Sequence, residues 1–256
     1  MKLPVLIDID GVLRSGDRLL PHVRELFDFL RLHQHPFCLL SNSTKQGKED
    51  LEPYFEQHGI AVDFPIVTAL DVTKAYLLAH YSAAKVYAIP SALRKLTVLP
   101  DQNPQVLVVG DLGEGFTYAT LNEMLRYLLN GAELLAMQQN AIGKNENGHY
   151  LDAGSFVAAL EYGSGKKAKL LGKPAPSYFD TALQMIGARI GKPFLMLGDD
   201  LKVDVQSAMQ VGGKGILLLT GKTTEGMLDQ QVEGKPDCVA NDLLDAIQFI
   251  SSTHAN

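Results

Sequence analysis

The stretch VLIDIDGVL, Val5 to Leu13, decides how the rest of the chain is read: an apolar run meets Asp8, Asp10 follows two positions later, and Gly11 comes next. A short apolar run bounded by turn residues is the pattern of a buried strand. If that strand keeps its period of two, Asp8 and Asp10 share a face, and two like charges so placed are tolerable only near a cation.

Working outward, PHVRELFDFLRLH reads as a helix opening with Pro21 in its first turn and PFCLLSN as a second strand, which completes a βαβ unit. KEDLEPYFEQHG and DVTKAYLLAHY supply further helices. Towards the C-terminus come KLLGKP (strand), PSYFDTALQMIGARIG (helix), PFLMLGDD (strand), DVQSAMQVGG (helix), GILLLTG (strand), DCVAN (strand) and DLLDAIQFI (helix). This alternation predicts an α/β fold with a doubly wound parallel sheet. Between them lie the strands KVYAIP, QVLVVGDL and AELLAMQ, and a helix whose Leu121, Met124, Leu125, Leu128 and Leu129 form one apolar stripe. The expected organisation is therefore a core of residues 1–70 and 170–256 with an α/β unit, residues 71–169, inserted into it.

Composition narrows the function. A net charge of −6 over 256 residues, with no dense Lys/Arg block, gives no footprint for nucleic acid or an anionic membrane. No run of about 18 apolar residues exists for a membrane span, and MKLPVLIDID is interrupted by carboxylates too early for a signal peptide, so a cytoplasmic chain is expected. The sequon NST at Asn42 to Thr44 then has no use. Cys38 and Cys238 sit in strand-like runs as small hydrophobes, which excludes a disulfide scaffold.

Ligands of a parallel α/β sheet sit beyond the carboxyl ends of its strands, and Asp8, Asp10, Ser41, Asn42, Asp199 and Asp200 all fall at such ends. Carboxylates, a backbone carbonyl and waters make an all-oxygen set suited to Mg²⁺, which often binds beside a phosphate.

At this point the residues resemble a known family. DIDGVL is similar to the first motif of the haloacid dehalogenase superfamily, LLSNST to the second, GKPAPSYF to the lysine motif and GDDLKVD to the acidic fourth motif, in that order. The inserted section and its ending LDAGSFVAALEY resemble the large α/β cap of one phosphatase branch, the group that includes the phospholysine phosphohistidine inorganic pyrophosphate phosphatases. The resemblance implies a haloacid dehalogenase-like core with a cap, and a Mg²⁺-dependent phosphatase acting on a small phosphorylated substrate.

Residue by residue, it makes Asp8 the nucleophile that forms an aspartyl-phosphate, splitting hydrolysis into two easier steps. Asp10 becomes the general acid and base, with its backbone carbonyl on the metal. Ser41 and Asn42 would donate to phosphoryl oxygens, and Lys173 would offset the charge of Asp8 and phosphate. Asp8, Asp10 and Asp199 would hold the metal. Asp204 would hold metal-bound water or Lys173 from just outside, and Asp200 is left out of the metal shell. A homodimer through the cap is a further expectation on the same ground.

Each residue also has a plainer explanation: Asp10-Gly11 as a turn, Asp199 and Asp200 as helix caps, Lys173 as a surface lysine. Their coincidence in one chain favours the site. A receiver module is about half this length and carries its phosphorylated aspartate on a later strand. A dehalogenase has no use for an acid at Asp10, because halide leaves without a proton. A catalytically silent phosphate-binding protein on the same fold is the remaining alternative.

Other features carry less. YGSGKKAK lacks phosphate-loop spacing and reads as a helix end and a turn, and HQH at His33 to His35 as exposed histidines. No Cys/His set has zinc spacing, and no GxGxxG follows the first strand. Substrate selection is expected from MQQNAIGKNENGHYLDAG, Met137 to Gly154, whose amides suit hydrogen bonding and whose cations are Lys144 and His149. Asp10 favours phosphomonoesters, whose leaving alkoxide needs a proton.

Overall fold

In the computed structural model, which describes residues 2–145, 148–228 and 234–253, the strand Val5–Asp8 is buried throughout and takes a central place in a six-stranded sheet. The sheet order is Cys238–Ala240, Lys214–Leu218, Leu195–Gly198, Val5–Asp8, Phe37–Ser41 and Ile66–Thr68. Val5–Asp8 runs parallel to both neighbours, Leu6 opposite Met196 on one side and Cys38 on the other.

Both faces of the sheet are covered, as a run of apolar residues without alternation requires. On one face Val5, Ile7, Leu195, Leu197, Ile216 and Leu218 pack against Leu26, Phe27 and Leu30 of the helix Val23–Leu32, Leu51 and Phe55 of Lys48–Gln57, and Leu243, Ala246 and Ile250 of Leu243–Ser252. Leu217 points the other way, to Leu201 and Val205. This is the doubly wound α/β arrangement.

The chain divides into two compact units, one of Met1–Ser41, Glu49–Val67 and Lys173–Asn256, the other of Asn42–Lys48 and Thr68–Gly172. The second has its own parallel sheet, in the order Lys169–Leu170, Glu133–Ala136, Val106–Val109, Ala84–Tyr87. Leu70, Leu77, Ala92 and Leu96 cover one face of it, and Met124, Leu128, Val157 and Leu160 the other.

Local details depart from the sequence reading. Lys169–Leu170, expected in the core sheet, pairs instead with Leu135 and Ala136 of the second. Pro21 precedes its helix, which starts at Val23 after His22 turns left-handed at φ 66°. The helix from Pro176 stops at Met185, because Gly187 takes φ +73° and its N–H closes on the Gln184 carbonyl. Leu129 is exposed, lying about 80° round from Leu121 at the end of its helix. The stretch from Met137 to Gly154 folds into an antiparallel hairpin, Ile142–Asn145 against Gly148–Leu151; Glu146, Asn147 and the Lys144 side chain lie outside the described residues. Among the described residues no helix is long and apolar enough to cross a membrane.

Candidate active site

Asp8 closes the central strand, Ser41 closes its neighbour on one side, and Asp199 follows Gly198 directly on the other. Parallel pairing therefore brings three polar strand ends to one edge of the sheet, the edge where such folds bind ligands.

One carboxylate oxygen from each of Asp8, Asp199 and Asp204 lies within 4.8 Å of the other two, and all three residues are buried. Lys173, 2% exposed, hydrogen-bonds Asp8 Oδ1 and sits 2.8 Å from Asp204 Oδ1. Three carboxylates against one ammonium leave two surplus negative charges in a buried site, which a hard divalent cation would balance.

The acidities follow from the crowding. Burial raises the Asp8 carboxyl well above its usual range, the charges of Asp204 and Asp199 push the same way, and the Lys173 ammonium opposes them. Burial, reinforced by Asp204, pushes Asp199 up to about 6 against the pull of the Lys222 backbone N–H. For Lys173 burial works against the charged form, yet Asp204 and Asp8 more than compensate and keep it above its usual range. A cation among these oxygens would act on Asp8 and Asp199 in the same sense as Lys173 does.

The segment after Gly198 explains how Asp199 and Asp204 reach one spot. Asp200 caps the turn, its Oδ1 accepting from the N–H groups of Lys202 (3.1 Å) and Val203 (3.0 Å). The turn Leu201–Gln206 is wound as a π-helix before Ser207–Gln210 continues as α, a local widening often found at functional sites. Asp204 Oδ2 accepts from the Asp200 N–H at 3.2 Å. Asp204 thus stands inside the cluster and directly on Lys173.

Asp10 is placed differently. The strand ends at Asp8, the next residues turn, and the exposed Asp10 carboxylate takes a hydrogen bond from Arg14 Nε at 2.8 Å. Among the described residues the acidic cluster is Asp8, Asp199 and Asp204, without the Asp10 side chain. The like charges that press on Asp8 come from separate chain segments, because the period of two is not maintained past the strand end.

Ser41 is buried, and the single O–H of Tyr178 is shared between the Ser41 carbonyl at 2.7 Å and the Val67 carbonyl at 2.8 Å. Asn42 groups with the second unit, where its Oδ1 lies beside Gly172 so closely that a side chain on that glycine would meet it.

Sequence reasoning missed the loop after Lys214–Leu218. The Lys222 N–H donates to Asp199 Oδ2 at 2.8 Å and the Thr223 N–H to the Asp199 carbonyl at 3.1 Å, while Thr223 Oγ1 accepts from the Leu201 N–H at 3.0 Å. Gly11, at φ +87°, and Gly221 leave the room that the Asp199 carboxylate fills, since a Cβ on either would run into it. The available signal was TGKTT, a fourth polar strand end on the same edge.

The chain is similar to known proteins over most of its length. Residues 5–98 match the family model for haloacid dehalogenase-like hydrolases, and residues 170–246 the model described as HAD-hydrolase-like. A mouse haloacid dehalogenase-like hydrolase domain-containing protein 2 is 32% identical over 219 residues, covering 85% of this chain and 84% of that protein. The mouse phospholysine phosphohistidine inorganic pyrophosphate phosphatase is 29% identical, covering 96% and 93%. The crystal structure of a 4-nitrophenylphosphatase from Thermotoga maritima superposes with a TM-score of 0.83 at 27% identity, covering 96% of this chain and 97% of that one.

Proposed function

Since the chain belongs to the haloacid dehalogenase-like hydrolase family and is a hydrolase of the phosphatase kind, we propose that it is a Mg²⁺-dependent phosphatase of small phosphomonoesters, working through an aspartyl-phosphate on Asp8. The observation that carries this reading is the buried group of Asp8, Asp199 and Asp204 around Lys173.

Asp8, Asp199 and the Asp10 backbone carbonyl would hold the cation, with Asp204 close behind. Bound there, Mg²⁺ supplies charge neutralisation for a phosphoryl group approaching a carboxylate. In the first half-reaction an Asp8 oxygen attacks phosphorus while the bond to the leaving oxygen breaks, and Asp10 gives that oxygen its proton. In the second, Asp10 takes a proton from water, the water oxygen attacks phosphorus, and the Asp8 carboxylate departs from inorganic phosphate. Lys173, held between Asp8 and Asp204, favours the ionised form of Asp8 against its burial and offsets the incoming dianion. Ser41 and Asn42 donate to the phosphoryl oxygens.

The choice of phosphomonoesters rests on Asp10, because an alkoxide needs a proton to leave whereas a good aryl leaving group does not. The test is Mg²⁺-dependent phosphate release from a panel of phosphomonoesters, nucleotides, pyrophosphate and phospho-amino acids, with Asp8→Asn as the blank. Turnover that disappears in the blank supports the reading; silence across the panel from folded, Mg²⁺-loaded protein replaces it with a non-catalytic phosphate-binding role.

A further inference from the structure

Arg14 stands four residues after Asp10, and its Nε donates to Asp10 Oδ1 at 2.8 Å. The partners of this ion pair are unequal: the Arg14 side chain is 7% exposed and that of Asp10 is 55% exposed. The Arg14 backbone is fixed as well. Its carbonyl accepts the Gly11 N–H at 2.8 Å, and its own N–H shares the Ile9 carbonyl with that of Leu13. Arg14 then opens the short ribbon Arg14–Ser15 against Arg18–Leu19. Its guanidinium carbon lies 5.0 Å from the centre of the Tyr54 ring, which packs edge-on against the buried Phe55. The arginine is a fixed post and the aspartate a short arm tied to it.

Stability is a weak reason for this arrangement, since the exposed carboxylate keeps much of its hydration and gains little from the pairing. Reaction geometry is a stronger one. In an in-line displacement at phosphorus the leaving oxygen departs on the side opposite Asp8. The group that protonates it must stand outside the Asp8, Asp199 and Asp204 cluster, as the Asp10 carboxylate does. Unrestrained, that exposed carboxylate would spread over several rotamers.

We propose that Arg14 is a positioning residue for proton transfer: by engaging Asp10 Oδ1 it fixes the carboxylate so that its other oxygen serves the leaving group. This rests on the phosphatase reading above. Arg14 acts on the step in which the proton passes from Asp10 to the leaving oxygen as its bond to phosphorus breaks.

The test compares kcat/KM for an alkyl phosphate such as glycerol phosphate with that for p-nitrophenyl phosphate, in wild type, Arg14→Gln, Arg14→Lys, Asp10→Asn and the double variant Arg14→Gln/Asp10→Asn. Arg14→Gln is expected to lose roughly tenfold or more on the alkyl ester and only a few-fold on the aryl ester, whose leaving group needs no proton. Arg14→Lys should recover part of the alkyl loss, and Arg14→Gln should add no further selectivity in the Asp10→Asn background. Equal losses on both esters, or faster turnover of the alkyl ester by Arg14→Gln, would overturn the inference. Wild type that releases phosphate from neither ester would instead overturn the phosphatase reading, and this inference with it. Mg²⁺-dependent thermal shifts of each variant report whether the acidic cluster is intact.

Discussion

Lys173 and Asp204 face each other at 2.8 Å with both side chains 2% exposed, so a buried ammonium is held between the carboxylate of Asp204 and that of Asp8. Replacing it by methionine keeps the volume but strands the buried carboxylates. Breaking a buried pair in this way costs about 3–5 kcal/mol. Lys173→Met is expected to unfold at correspondingly lower urea, with the loss partly restored by adding Asp204→Asn. Equal stability of Lys173→Met and wild type would show that the lysine is not the counter-charge.

Asp199 is fitted between two glycines, and the fit is testable apart from catalysis. Gly221→Ala puts a Cβ into the Asp199 carboxylate, which must then move away from the Lys222 N–H. Overpacking of this kind costs about 1–3 kcal/mol. The variant is expected to show weaker Mg²⁺ binding by calorimetry together with a lower thermal midpoint. Wild-type Mg²⁺ affinity would mean that Asp199 is not a ligand.

Two surplus negative charges in the cluster predict that Mg²⁺ stabilises the folded chain without any substrate. At a hundredfold excess over Kd, a ligand bound only by the native state adds roughly 2.7 kcal/mol. The thermal midpoint should rise by several degrees in wild type and remain flat in Asp199→Asn. A rise of the same size in both would place the ion elsewhere.

Away from the site, His35 makes stability depend on pH. Unlike that of the exposed His33, and against the expectation of exposed histidines in HQH, its ring is buried, stacks at 5.9 Å with Phe29, and places Nδ1 2.9 Å from the Leu3 carbonyl, with Lys2 and His33 nearby. Burial, aided by Lys2 and His33, lowers its pKa from the ordinary 6.5, although the Leu3 carbonyl opposes the shift. Below that value the unfolded chain binds the proton more readily than the folded one, so stability falls as pH drops through about 6.5. His35→Asn retains a donor near the position of Nδ1 and removes the titration. Urea midpoints measured between pH 7.5 and 5.5 should fall more steeply for wild type than for His35→Asn, and equal slopes would exclude His35 as the cause.

The sheet and its polar edge were legible because unbroken apolar runs such as VLID and LMLG can be buried only between two layers of helices, and because each stops at a carboxylate. What escaped the sequence depends on contacts between distant segments. The Lys222 and Thr223 N–H groups act through the backbone, which leaves no residue-type signal. The Asp10 side chain leaves the face of Asp8 because the strand ends one residue after Ile7, and a sequence period says nothing about where pairing stops. Lys169–Leu170, only two residues long, had no pattern of its own to assign it to one sheet or the other.

Val5–Asp8 precedes the other five strands of its sheet in the sequence and lies in the middle of it, yet one of its two flanking strands is Leu195–Gly198 and the lysine that neutralises Asp8 is residue 173. A growing chain must therefore carry this apolar segment without its full set of neighbours until Leu195–Gly198 has been synthesised. Ribosome-bound intermediates ending before residue 173 lack both the counter-charge and the second pairing edge, and such intermediates are the natural clients of chaperones. The order of translation and the order of the sheet are at odds, and the polar edge cannot be assembled until residues 173 to 204 have followed the first strand.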